Sequence, residues 1–155
     1  MKIIKGIICV LIITVLFTGC GSSDTTETMT ANGFKKSMED RGVTVVDQTS
    51  TASDSTYQKI YVAIDEDKYS FEYYFMNNVD SADVVYRYAV SNLNEVYAEE
   101  ATISEDEKNN IKKYCVSASD YYCEVLKKEN TVLYVTAYHD YENEAKNIVK
   151  DLGYK

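Results

Sequence analysis

The stretch KIYVAIDEDKYSFEYYFM, Lys59 to Met76, decides the fold class. It holds two β-branched and aromatic runs, Lys59 to Ile64 and Tyr69 to Met76, around an acidic turn, Asp65-Glu66-Asp67-Lys68. Runs of this composition bounded by polar residues read as paired strands. Pairing Ile64 with Tyr69 sets Val62 opposite Phe71 and Ile60 opposite Tyr73. Six apolar residues then share one face, as a half-buried hairpin requires.

Working outward, the same signature recurs at Thr44 to Asp47, Lys113 to Ser117, Tyr121 to Lys127 and Thr131 to Tyr138. Short turns at Ala118-Ser119-Asp120 and near Glu129-Asn130 join the last three, and strands joined so tightly run antiparallel. Three helical patterns frame the strands. The first spans Thr30 to Arg41, with Thr30 as N-cap, Ala31, Phe34 and Met38 on one face, and Gly42 as the stop. The second spans Asp80 to Tyr97. Its stripe is Ala82, Val85, Tyr86, Ala89, Val90, Leu93 and Val96, and Asp80 or Ser81 is its expected cap. The third spans Asp140 to Leu152 and ends at Gly153.

The order α, three strands, α, three strands, α reads as a tandem αβββ repeat closed by a C-terminal helix. The expected class is α+β, with an antiparallel sheet of five or six strands and helices on one face. Residues 30–155 are read as one globular domain, long enough for its own core. Gln48 to Tyr57 and the acid-rich Ala98 to Asn110 are read as loops.

The chain has 155 residues, 16 basic and 25 acidic, for a net charge of −9, with neither Pro nor Trp. The length argues against a multidomain enzyme. The acidic balance argues against nucleic acid as a partner, since that needs clustered Lys and Arg.

The N-terminus carries an address. Lys2 and Lys5 precede a twelve-residue apolar run, Gly6 to Phe17, which is too short to span a membrane and suits a signal-peptide core. The run ends in Leu16-Phe17-Thr18-Gly19-Cys20, which resembles the lipobox of bacterial lipoproteins. The resemblance implies cleavage after Gly19, a diacylglyceryl group on the Cys20 thiol, and residence on the extracytoplasmic face of the cell membrane. Two acyl chains suffice for stable anchoring where one does not. Residues 20–29 then read as a flexible tether. Removing Lys2 and Lys5 leaves 14 basic residues against 25 acidic, so the body is repelled by an anionic bilayer and hangs from its lipid. The Tyr-rich body resembles small Gram-positive lipoproteins of unknown function.

Few residues suggest chemistry. Cys115 and Cys123 fall on neighbouring strands. If Ser117 faces Tyr121, the two cysteines face each other within disulfide reach, in a compartment that permits oxidation. The alternative is a pair of unlinked thiols. One His and two Cys fall short of a zinc site, and no cofactor or metal is expected. His139, the one histidine, precedes Asp140, but no motif marks a nucleophile for it. The acids of the Asp65 turn lack the pattern of a calcium loop. All 15 tyrosines lie between Tyr57 and Tyr154. With helices on one face only, Tyr74 and Tyr122 are expected to line the other, an open aromatic surface suited to a protein, peptide or glycan. The functional expectation is a non-catalytic binding module. An extracytoplasmic inhibitor or immunity-type protein, and a small hydrolase centred on His139, are the alternatives.

Overall fold

The computed structural model describes residues 28–52, 55–97 and 102–155. The expected signal peptide, Cys20 and most of the expected tether lie outside them. Helix α1 (Ala31–Glu39) leads to β1 (Thr44–Asp47), a 3₁₀ turn at Thr49–Thr51, β2 (Tyr57–Asp65) and β3 (Tyr69–Met76). Helix α2 (Val79–Tyr97) follows, then β4 (Thr102–Lys108), β5 (Ile111–Ser117), β6 (Tyr121–Lys128) and β7 (Thr131–Tyr138). A 3₁₀ turn at His139–Tyr141 passes into α3 (Glu142–Asp151). All seven strands form one antiparallel sheet in the order β1-β2-β3-β7-β6-β5-β4. The α+β class holds, with seven strands in place of five or six, and the expected tandem αβββ repeat is not kept, because α2 is followed by four strands.

Local chemistry fixes the helix ends. The Thr30 hydroxyl accepts from Gly33 N at 3.0 Å and caps α1. Asn78, rather than Asp80 or Ser81, caps α2, its side-chain oxygen accepting from Ser81 N at 2.8 Å. Gly42 and Gly153 end α1 and α3 at φ +77° and +87°, a region that favours glycine. In both, the residue after the glycine donates back into the helix, Val43 to Met38 O and Tyr154 to Val149 O. This is a Schellman motif with an apolar residue following the glycine.

The helices do not share one face. Helices α1 and α3 pack on one side, where Phe34, Met38, Ile148 and Val149 meet Tyr61, Ala63, Phe71, Tyr73, Leu133 and Val135. Phe34 stacks on Tyr73 with ring centroids 4.9 Å apart. Helix α2 packs on the other side, where Val85, Ala89 and Leu93 meet Ile60, Tyr74, Val116, Val125 and Val132. The result is three layers. Strands buried on both faces lose the apolar–polar alternation, and β3 and β7 carry nearly unbroken apolar runs for that reason.

The first hairpin is displaced by one residue from the expected register. Asp65 pairs with Tyr69, Ala63 with Phe71 and Tyr61 with Tyr73. The Asp65 side chain accepts from Asp67 N at 3.4 Å, and Lys68 N donates to Asp65 O at 3.0 Å, which tightens the turn to three residues. Since both faces are buried, the slip exchanges one apolar set for another.

Two expected loops are also revised. Within the acid-rich segment Thr102–Lys108 is strand β4, paired along its length with β5. Asn109 and Asn110, both at positive φ (54° and 61°), form the two-residue turn that joins them. Every residue of β4 is exposed, and its charges suit a sheet edge. In the Ser/Thr-rich loop, Thr49–Thr51 forms the 3₁₀ turn, and Tyr57 is already buried in β2.

Candidate functional site

The expected aromatic surface is not there. Tyr74 is 1% exposed under α2 and Tyr122 is 2% exposed on the α1/α3 side, because each face has its own helices. The hydroxyl of Tyr74 donates to Glu72 Oε2. Lys146 of α3 sits over the Tyr122 ring, 4.7 Å from its centroid.

The two cysteines are free, buried thiols on opposite faces of the sheet. Ser117 pairs with Tyr122, so Cys115 faces Glu124 and Cys123 faces Val116. A connection one residue longer than expected, closed by Ala118 N donating to Tyr121 O at 2.9 Å, causes the offset. Burial pushes both thiols up, Cys123 to about 11. Thiols so held are poor nucleophiles.

His139 is half exposed in the 3₁₀ turn, with Nδ1 3.4 Å from Glu142 Oε2. No other ionic partner reaches it among the described residues, nor do three or more His, Cys, Asp or Glu side chains gather as metal ligands there.

A concave site does exist where helix cover ends. Helix α1 packs on β1, β2 and β3, and α3 packs on β7. Beyond α3, on the same face, β6, β5 and β4 are left as the floor and far wall of a cleft of about 270 Å³. Ile111, Leu126, Val149 and Tyr154 give it an apolar floor. Its charged lining is Lys108, Lys113, Lys146, Lys150 and Lys155 against Asp106 and Glu124. The buried end of the cleft is held by the C-terminus, where the Tyr154 and Thr131 hydroxyls lie 2.8 Å apart and Lys128 Nζ donates to Gly153 O at 3.3 Å.

Glu124 is fully buried, and Lys113 Nζ lies 2.5 Å from its Oε1. Neither carboxylate oxygen makes a well-formed hydrogen bond among the described residues. Burial opposes the Lys113 charge, but Glu124 outweighs it and raises the ammonium's pKa. Burial, and next the Glu124 carboxylate, drive the Tyr122 phenol far up, so it stays protonated beside Cys115 Sγ at 3.5 Å. Glu124 is therefore spent on Lys113, and Lys146 is engaged by Glu142. Lys108, Lys150 and Lys155 have no acidic partner among the described residues, in a chain with an excess of acids.

Sequence reasoning missed this cleft. Its residues come from β4, β5, β6, α3 and the C-terminus, and only the fold brings them together. The available signal was Lys108, Lys113, Lys146, Lys150 and Lys155 falling in the C-terminal third of an acidic chain.

No protein-family model and no curated protein matches the chain. Among solved structures, it is similar to the extracellular domain of PknH from Mycobacterium tuberculosis. The identity is 11% over 71% of this chain and 75% of that one, with a TM-score of 0.38, a likeness too distant to carry fold or function across.

Proposed function

We propose that the protein is a lipid-anchored, extracytoplasmic binding module without catalytic function, and that its ligand site is the lysine-lined cleft beside α3. The N-terminal address rests on the basic start, the short apolar run and Cys20. No helix among the described residues is long and apolar enough to cross a membrane. The observation that carries the binding role is the cleft itself, which joins an apolar floor to charged groups lacking internal partners. A concave site of that kind is the usual place for a small molecule, or for one group of a larger peptide or glycan. Its volume of about 270 Å³ accommodates a compact group.

The test is thermal unfolding of the full-length protein in neutral detergent against a panel of cationic, neutral and anionic solutes. A ligand that raises the midpoint in the wild type and not in a Lys150→Glu, Lys155→Glu variant supports the cleft as the site. Ligands whose effect survives that double substitution place binding elsewhere. For the anchor, Cys20→Ser is expected to move the protein from the membrane fraction to the medium. Retention of the variant in the membrane overturns the lipoprotein reading.

A further inference from the structure

We infer that the cleft takes a small multivalent oxyanion, its charge carried by phosphate or carboxylate groups. The inference rests on the cleft being the ligand site and deepens that reading. The chain as a whole repels anions, at net charge −9, yet five lysines line one cleft with only two acidic side chains. One of those acids, Glu124, is fully buried and already neutralised by Lys113. Asp106 is the remaining acid of the lining and sits on exposed β4. Elsewhere the lysines are absorbed by neighbours: Lys35 and Lys36 within α1, Lys59 by Asp47, Lys68 by Asp65, Lys112 and Lys127 by Asp83, and Lys128 by the Gly153 carbonyl. Lys108, Lys150 and Lys155 are left over, and all three are at the cleft.

Ammonium groups gathered without counter-charge repel one another, and a bound anion relieves that repulsion while the unfolded chain gains nothing. The acidic remainder of the surface limits the footprint. A long polyanion reaching beyond the cleft meets a chain of net charge −9, whereas a compact one meets only the cleft. The volume of about 270 Å³ and the apolar floor suit two or three charged groups on a small frame.

The experiment is isothermal calorimetry on the full-length protein in neutral detergent, with tripolyphosphate, citrate, spermidine and a neutral disaccharide as probes, at low and high salt. The expected result is saturable binding of tripolyphosphate, citrate or both, and none of spermidine. The preferred anion identifies phosphate or carboxylate as the source. Affinity falls with salt as screening shortens. Lys150→Ala with Lys155→Ala weakens binding roughly tenfold, the sum of a few exposed ion pairs. Glu124→Gln strengthens it, because Lys113 is then released to the ligand. Anion binding unchanged in the lysine variant, or weakened in Glu124→Gln with folding intact, overturns the inference. If only the neutral or cationic probe binds, and does so at the cleft, the oxyanion is excluded and the binding-module reading stands. If no probe of any class binds, the inference fails together with the cleft's assignment.

Discussion

The two faces of the β5–β6 hairpin treat the same residue type in opposite ways. On the α2 face, Asp83 receives both Lys112 and Lys127, each at 3.0 Å, and Lys127 is nearly buried. On the α1/α3 face, Glu124 receives Lys113 at 2.5 Å, but no helix carboxylate reaches down for Lys108, Lys150 or Lys155. One face is a closed structural surface whose two lysines share one helix carboxylate. The other is half closed, with charge left available. Alternation along two strands suffices to make both, since neighbouring residues point to opposite sides. A helix placed over one face and stopping short on the other decides which becomes a site.

The largest effect is expected from Lys113→Met, which strands the fully buried Glu124 carboxylate. Removing one partner of a buried pair costs several kcal/mol. As Lys113 is about a third exposed, roughly 3–4 kcal/mol is expected from urea denaturation. Adding Glu124→Leu should recover most of the loss, because the stranded charge, not the missing bond, carries the cost. A double variant as unstable as the single one would break the comparison on the cleft side.

Glu72 is the other buried carboxylate, and among the described residues no cation pairs with it. Burial pushes it up to about 7, with the Tyr74 hydroxyl opposing. Its folded pKa lies above its unfolded value, so the native state holds the proton more tightly. Its contribution is fully present below about pH 4.5 and is lost as the pH rises through about 7. Replacing it by Gln removes that slope and is expected to stabilise the protein at pH 8 by about 2–3 kcal/mol, with little change at pH 4. Parallel stability curves for the two proteins between pH 4 and 8 would contradict this.

On the α2 face, Asp83→Ala leaves Lys127 buried and unpaired, and a loss of about 2 kcal/mol is expected. Burial works against the Asp83 charge, but the two lysines outweigh it and hold the pKa below the usual carboxylate range. The wild type should therefore shed this contribution as the pH falls through that depressed value, and Asp83→Ala should not. The smallest effect belongs to Lys150→Ala. It removes an unpaired surface charge, so stability should move by no more than about 0.5 kcal/mol in thermal unfolding. A large loss there would mean that the cleft lysines are structural after all.

Much of the fold is legible in the sequence. Gly42 and Gly153 mark the ends of α1 and α3, and the bounds of β3 and β7 follow from Tyr69, Met76, Thr131 and Tyr138. What resists reading is anything that depends on a single-residue register. Both faces of the central strands are apolar, so the Ile64–Tyr69 and Asp65–Tyr69 pairings bury comparable sets. The turn hydrogen bonds of Asp65 decide between them. The same one-residue offset at Ala118 separates Cys115 from Cys123 and removes the disulfide. Strand β4 shows no apolar alternation because an exposed edge needs none, although Asn109-Asn110 is a hairpin turn signal. The cleft needs β4 and the C-terminus placed beside α3, which no local pattern encodes.

The most direct test of the contrast between the two faces is a nitrogen-15 amide titration by NMR of the full-length protein in detergent, with tripolyphosphate as the probe. The account predicts shifts concentrated at Lys108, Ile111, Lys113, Lys150 and Lys155, with Asp83 and the α2 face unmoved. Shifts centred on α2 or on the β1 edge, or none at saturating probe, would contradict it.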